Sequence, residues 1–593
     1  MLNFKIMKNI TIKCLGLFFC MTLASSCEDF ESRPLEWNTE DYVWDETDIN
    51  GTYAQGWVAK MYSYLPQGGY TRFNGKWRAG GVPQECLTDD AVPSDPANGM
   101  WNTIRGGYSA TSTFDNNWSG AYKAIRHCNI FLANYKRVPW ASEDEPKYLE
   151  AEMRFLRAYH YFELVRRFGG VPLIGDRIFK PTANDLLTLK RNSFADCIDY
   201  IISECDAVKD NLRQEFSLAE RGKGKGKKDG NDPLAGRIRK SIVLAFKARV
   251  LLYAASPLFN GTGDNERLYL GYPEYDKNRW KLAADAVKEV MDMGLYDLEP
   301  SRYTLNYTYV NKEIIWMRTY YSQSDWYGYV MSPVGFRVKN KESMGIVSPT
   351  QELVDAFPMK NGKFIDEVGS GYKEDDPYAN RDPRLNETVF YNGSRWLKQT
   401  VETFEGGKNK PNNVSKYKVQ TVSGYYAKRH LYDETESTTY HSTHFNGGYP
   451  SGWVMIRYAD LLLMYAEAQN EYLDSPDQSV YDAIEKIRKR AGLDPYQLPE
   501  NLSQEGMRKY IRNERRVEMA FEESRFWDIR RWKIAKDVYT KPLHGMKIEK
   551  DGEKFKYTKI EIAQPYFSDE MYLFPIALKE TQVNDNMEQN PGY

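Results

Sequence analysis

The apolar residues of this chain recur at helical spacing in segment after segment, and neighbouring segments form pairs. In Glu150–Phe168, the side chains of Phe155, Ala158, Tyr159, Phe162 and Val165 fall on one face, with Arg154, Arg157 and Arg166 mostly off it. Gly169 and Gly170 stop the pattern, and Val171-Pro172 forces an extended exit. The same spacing predicts helices over 194–212, 238–255, 280–293, 454–473, 482–491 and 506–533. Large and small residues alternate within them, as in Ala245, Ala248, Leu252, Ala255 and in Ala459, Leu463, Ala466. Small residues let helices approach closely, so each pair can stack on the next. The pattern predicts a mainly α fold of tetratricopeptide-like helix pairs.

Residues 320–450 have another texture, rich in Gly, Asn, Ser, Thr and Tyr, and predict short strands and long loops. The expected organisation is a single body over 46–593. Its helical scaffold spans about 46–300 and 450–593, with a loop-rich region at about 301–450. Arg221–Gly230, rich in Gly and Lys, reads as an exposed flexible insertion.

The N-terminus carries an address. Lys5, Lys8 and Lys13 precede a short apolar run, Cys14–Ala24, followed by Ser25, Ser26, Cys27, Glu28 and Asp29. The run is about a dozen residues, whereas a helix needs ~20 to cross a bilayer core of ~30 Å. This reads as an export signal over 1–26 that ends at a cysteine. Acylation of Cys27 would hold a soluble body at a membrane, with 27–45 as a tether. An ordinary secretory signal is the alternative.

A formal net charge of −2 gives no global field for nucleic acid. Aromatics make up 14 % of residues, so many must sit at helix junctions with their polar atoms satisfied or lie partly exposed. Cys86, Cys128, Cys197 and Cys205 form no C-x-x-C pair. Cys197 and Cys205 lie ~12 Å apart along one helix, too far for a disulfide, and buried thiols are expected. Catalytic motifs are weak. His441 and His444 lack the helix and glutamate of a metalloprotease, and the Gly/Lys run at 222–226 lacks a P-loop ending. No G-x-S-x-G elbow occurs. The reading is a protein that is not an enzyme and needs no cofactor or metal.

Several segments together resemble one family. They are "WSGAYKAIRHCNIFL" (118–132), "AEMRFLRAYHYFELVRRFGGVPLI" (151–174), "RIRKSIVLAFKARVLLYAASPLFN" (237–260), "PTQELVDAFPMKNGKFI" (349–365), "RDPRL" (381–385), "WVMIRYADLLLMYAEAQNE" (453–471), "IRNERRVEMAFEESRFWDIRRW" (511–532) and "YLFPIALKETQVNDNMEQNPGY" (572–593). In this order they resemble the SusD/RagB outer-membrane nutrient-binding lipoproteins. The acidic pair after Cys27 resembles the surface-export tag of such lipoproteins. The resemblance implies a SusD-like α-α superhelix with a loop-rich face and lipid anchoring at the cell surface of the outer membrane. It also implies a SusC-like TonB-dependent transporter as partner and an oligosaccharide as ligand. A peptide ligand, or a scaffold that binds only protein, are the alternatives. Within the matching segments, Glu514, Arg515, Glu518, Glu522 and Arg525 are spaced for ion pairs along one helix. Trp527 and Trp532 read as core or junction residues, and Arg381, Asp382 and Arg384 as a structural turn with buried or half-buried ion pairing.

A pyranose needs exposed rings to stack on and polar groups for its hydroxyl rim. Three loops offer both. Trp77 and Arg78 come from the first, Trp101, Asn102 and Arg105 from the second, and Asp325, Trp326 and Tyr327 from the third. Trp101 and Trp326 are the expected stacking platforms.

Overall fold

The computed structural model describes residues 40–66, 68, 81–179, 187–219, 236–302, 305, 311–320, 324–338, 341–412, 419–431 and 451–593. The signal segment 1–26, Cys27, most of the 27–45 tether, Trp77, Arg78, the 221–230 insertion, His441 and His444 lie outside these residues.

Helices pack in a continuous series. Trp118–Asn134 lies against Glu145–Phe168, which in turn packs on Phe194–Val208. Lys240–Ala255 packs on Asn278–Asp292, which meets Tyr458–Tyr472, and that helix contacts both Gln478–Ala491 and Gln504–Glu518. Local chemistry marks the ends. Ser193 and Asp196 form a capping box, Asp477 and Ser503 cap their helices, and Gly492 closes Gln478–Ala491 in the left-handed region. All four cysteines beyond Cys27 are buried free thiols.

Where the helices differ from expectation, the reason is physical. Glu145–Phe168 is covered on nearly every side because it sits between two helices, so Arg157, expected off the apolar face, is buried. It survives there by donating to Glu204 at 3.0 Å and to Asn129 at 2.8 Å. The predicted 454–473 helix splits: Ser451–Arg457 is a strand antiparallel to Ile314–Tyr320, and the helix begins at Tyr458. An apolar run such as Trp453–Ile456 satisfies a buried strand as well as a helix. The predicted 506–533 helix breaks into Gln504–Glu518 and Arg525–Arg531, with Phe521 and Glu523 at φ of 61° and 58° between them. A hairpin of Leu543–Asp551 and Lys554–Ala563 lies within the stretch assigned to the helical scaffold.

Among its described residues the 320–450 region has short strands, as expected, and three short helices at Ser324–Met331, Gln351–Ala356 and Pro383–Thr388. It also has its own apolar core, built on Phe336, Leu353, Trp396, Tyr425 and Tyr426 and joined by Val517 and Ile548.

A buried ionic network fastens this region to the helices. Arg384 binds Asp382, Glu514 and Glu518; Arg457 binds Glu313, Glu518 and Glu522; Arg429 also binds Glu522. The expected ion pairs along one helix are therefore replaced by pairs between elements. The face that carries Glu514 and Glu518 is buried, and other segments supply the arginines. Arg381 donates to the Pro377 and Phe357 carbonyls at 2.8 and 2.7 Å, and Asp382 caps the Pro383–Thr388 helix. Trp527 and Trp532 are buried.

Candidate functional site

The second predicted loop is tied to the third through one residue. Ser94 N–H donates to the Ile346 carbonyl at 2.9 Å, and Ile346 N–H donates to the Val330 carbonyl at 3.1 Å. The short helices Met100–Ile104 and Ser324–Met331 thus rise from one backbone framework. Asp325, Trp326 and Tyr327 belong to the first turn of the second helix and not to a loop; their side chains lie outside the described residues.

Trp101 is a correction. It is 7 % exposed, its indole N–H donates to the Asp95 carbonyl at 2.9 Å, and the Arg105 guanidinium lies 5.5 Å from its ring centroid. A sugar cannot stack on a ring placed this way, because packing has removed its faces from solvent. Asn102 and Arg105 are exposed beside it, with Asn102 Nδ2 donating to the Gly107 carbonyl at 2.7 Å.

The exposed ring at this place is one that sequence reasoning missed. Tyr566 is 56 % exposed. Its N–H donates to the Ile104 carbonyl at 3.0 Å. Its ring lies over Gly106, whose φ is 84° and where a Cβ would fall 2.3 Å from a ring carbon. Only glycine permits that approach. Tyr566 therefore presents an aromatic surface next to the two residues, Asn102 and Arg105, that can reach a hydroxyl rim. The one available signal was its loop position after a polar hairpin.

A second cluster gathers at the end of the strand pair, where Tyr320 is paired with Ser451. The Trp453 and His430 rings lie 5.3 Å apart, tilted by 55°, and a Cβ on Gly68 would meet the Trp453 indole at 2.1 Å. Arg318 donates to the Ser63 carbonyl at 3.1 Å, and a Cβ on Gly236 would fall 2.9 Å from Thr319. Burial, aided by Arg429, pushes the His430 imidazole down to about 3, so it is neutral at physiological pH. Chain parts remote in sequence thus meet around one buried indole.

Among the described residues no helix is long and apolar enough to cross a membrane, and no cluster of His, Cys, Asp and Glu is grouped to hold a metal ion.

Comparisons with known proteins agree with this architecture. Residues 312–593 match the family model described as SusD family, and residues 27–219 match one described as starch-binding associating with outer membrane. A SusD-like protein, P2, of Formosa agariphila is 25 % identical over 503 residues, 80 % of each chain. A SusD-like protein of Bacteroides fragilis has a crystal structure with a TM-score of 0.71 at 26 % identity, covering 94 % of this chain and 99 % of its own. A laminarin-binding SusD-like protein shares the fold at a TM-score of 0.61 and 19 % identity, covering 92 % of this chain and 100 % of its own. With two family models matching its two ends and a solved relative superposing over nearly its whole length, this chain belongs to the SusD/RagB family.

Proposed function

We propose that this protein captures oligosaccharides at the outer face of the outer membrane and passes them to a SusC-like TonB-dependent transporter. Lipid on Cys27 anchors it, and the protein binds its cargo without transforming it. The starch-binding family match supports the outer-membrane association and the ligand class. Laminarin binding by a protein of the same fold, and the carbohydrate-binding description of another from Bacteroides fragilis, support the ligand class further.

The observation that carries the reading is the exposed Tyr566 ring laid over Gly106 beside Asn102 and Arg105. A flat ring covers the C–H face of a pyranose, while Asn102 and Arg105 bond its hydroxyls. Trp326, with Asp325 and Tyr327, is the second proposed contact, and Trp77 and Arg78 a third.

Calorimetric titration of neutral oligosaccharides tests this. Binding in the micromolar to millimolar range is expected. Tyr566→Ala should weaken it at least tenfold, and Tyr566→Phe should keep most of it, because the ring face and not the hydroxyl carries the contact. No response to any glycan in a panel of plant, algal and host polysaccharide fragments would overturn the function. Unchanged affinity in Tyr566→Ala combined with Trp326→Ala would overturn the platform.

A further inference from the structure

A separate cleft of about 570 Å³ opens between the helices Gln504–Glu518 and Gln351–Ala356. That volume suits a small ligand of one or two sugar rings. Four cations, Lys509, Arg512, Arg516 and Arg525, and two carboxylates, Asp355 and Asp366, belong to its lining.

The cations are not equivalent. Arg516 is committed to Asp90 at 2.7 Å, and Arg525 to Asp89 at 2.8 Å. Elsewhere on the same helix, Arg508 is held by Glu471, and Arg515 by Asp460 and Asp528. Arg512 is different: its guanidinium has no hydrogen bond or ion pair to any described residue. It lies 4.8 Å from the Trp532 ring centroid, at the wall of the cleft. Burial lowers its pKa, and the nearest acids, Glu467 and Glu471, only partly oppose this because each already holds an arginine. A half-buried guanidinium in that condition gains more from an incoming anion than a solvated one does. Lys509, one helical turn earlier, lies 4.4 Å from the Phe364 ring centroid and has no ion pair among the described residues. Asn513 donates to the Ala356 carbonyl at 3.0 Å, which leaves its Oδ1 to accept from a hydroxyl.

We propose that this cleft is a second binding site, selective for a saccharide that carries a carboxylate or sulfate, with Arg512 as the anion contact and Lys509 assisting. The Asp366 carboxylate accepts from neighbouring hydroxyls, and together with Asp355, which already accepts from Gln351 Nε2 at 2.6 Å and Lys559 Nζ at 3.3 Å, it disfavours polyanions that lack them. The anion site stands on the geometry of Arg512 alone; its assignment to a saccharide rests on the glycan-binding reading.

The test titrates the full mature chain with an oligogalacturonide, a matched neutral oligosaccharide, a sulfated oligosaccharide and inorganic sulfate at low and high salt. At low salt, one of the two acidic saccharides should bind at least tenfold more tightly than the neutral one, and salt should shrink that gap. Arg512→Gln should abolish the preference and leave neutral binding unchanged, while Arg512→Lys should restore part of it. Equal affinity for acidic and neutral saccharides, or a preference that survives Arg512→Gln in a folded variant, overturns the proposal. Inorganic sulfate binding as tightly as the acidic saccharides overturns the saccharide assignment. Loss of neutral binding in Tyr566→Ala, with the acidic preference intact, separates the two sites.

Discussion

Replacing Glu518 with glutamine is expected to destabilise the protein by about 3–5 kcal/mol, the range for removing one partner from a buried ionic cluster. Glu518 is fully buried and faces four arginines: Arg490, Arg457 at 2.7 Å, Arg384 at 3.0 Å and Arg302 at 3.9 Å. Burial alone would raise its pKa, yet these guanidiniums hold it well below the usual carboxylate range. Glutamine keeps the shape but removes the charge, so each of the four arginines loses one anionic partner in a site water cannot reach, and its remaining carboxylates compensate it only in part. The damage spreads because the arginines come from different parts of the chain and join the loop-rich core to the helices. Asp292→Asn is the control. Its pair with Lys288 is exposed at 61 % and 56 % of the two side chains, and its loss should leave the denaturation midpoint essentially unchanged. Urea denaturation of the variants compares them directly; similar midpoints for Glu518→Gln and the wild type would show the cluster to be inert. The same carboxylates predict acid sensitivity. Glu522, buried but held by Arg457 and Arg429, titrates at about 2 instead of 4.5. A depressed carboxylate stabilises the fold above its unfolded pKa, so stability should fall as pH drops from about 4.5 toward 2.

The helical scaffold was readable because a stacked helix must repeat its core face, and that repeat survives in any order of loops. The breaks were not. Phe521 and Glu523 adopt left-handed backbone without glycine; the Glu523 N–H is taken by Glu85 Oε1 at 2.6 Å and the Phe521 ring sits in the core of the loop-rich region. The 543–563 hairpin hid behind its Lys and Glu residues, although Asp551-Gly552 between alternating apolar residues was a turn signal. The ionic network was half legible. Acid and base residues stood at helical spacing near 514–525, but their true partners, Arg302, Arg384 and Arg457, lie far away in sequence. The proposed site lies in a region that the sequence singled out, but the ring proposed there was not legible. Asn102 and Arg105 stand exposed where a ligand rim was expected, yet the ring beside them is Tyr566. Nothing local separates Tyr566 from the other 43 of the 44 tyrosines, because Gly106, over 450 positions earlier, creates its seat. Trp101 misled for the complementary reason: the Asp95 carbonyl that takes its N–H is six residues away, and no rule of composition reveals which loop indoles fold inward.

Glu85→Gln should stabilise the protein in alkaline solution and leave it nearly unchanged in acid. Glu85 is 1 % exposed in the Gln84–Leu87 turn, where its Oε1 accepts from the Glu523 N–H at 2.6 Å. Its Oε2 has no donor among the described residues. Burial first, and then the Glu523 and Asp90 carboxylates, raise its pKa from 4.5 to about 8, although backbone donors partly oppose this. Asp90 is itself raised by burial and is tied to Arg516. The folded state therefore keeps a proton that the unfolded chain releases above about 4.5. The stabilisation that this proton brings is complete below that pH and is lost as pH rises toward 8, with an upper bound on the order of 4–5 kcal/mol. Glutamine mimics the protonated acid: it accepts from the Glu523 N–H and cannot ionise. The difference in thermal midpoint between variant and wild type should be near zero at pH 5 and should favour the variant by several degrees at pH 9. An offset that is the same at both pH values would mean that Glu85 does not change its charge between them. The effect has a functional reach, because the 84–87 turn packs on both the Met100–Ile104 helix and the Arg525–Arg531 helix. An ionised Glu85 would loosen the segment that carries Asn102 and Arg105, so glycan affinity in the wild type should weaken from pH 6 to pH 9 while the Glu85→Gln variant holds its affinity.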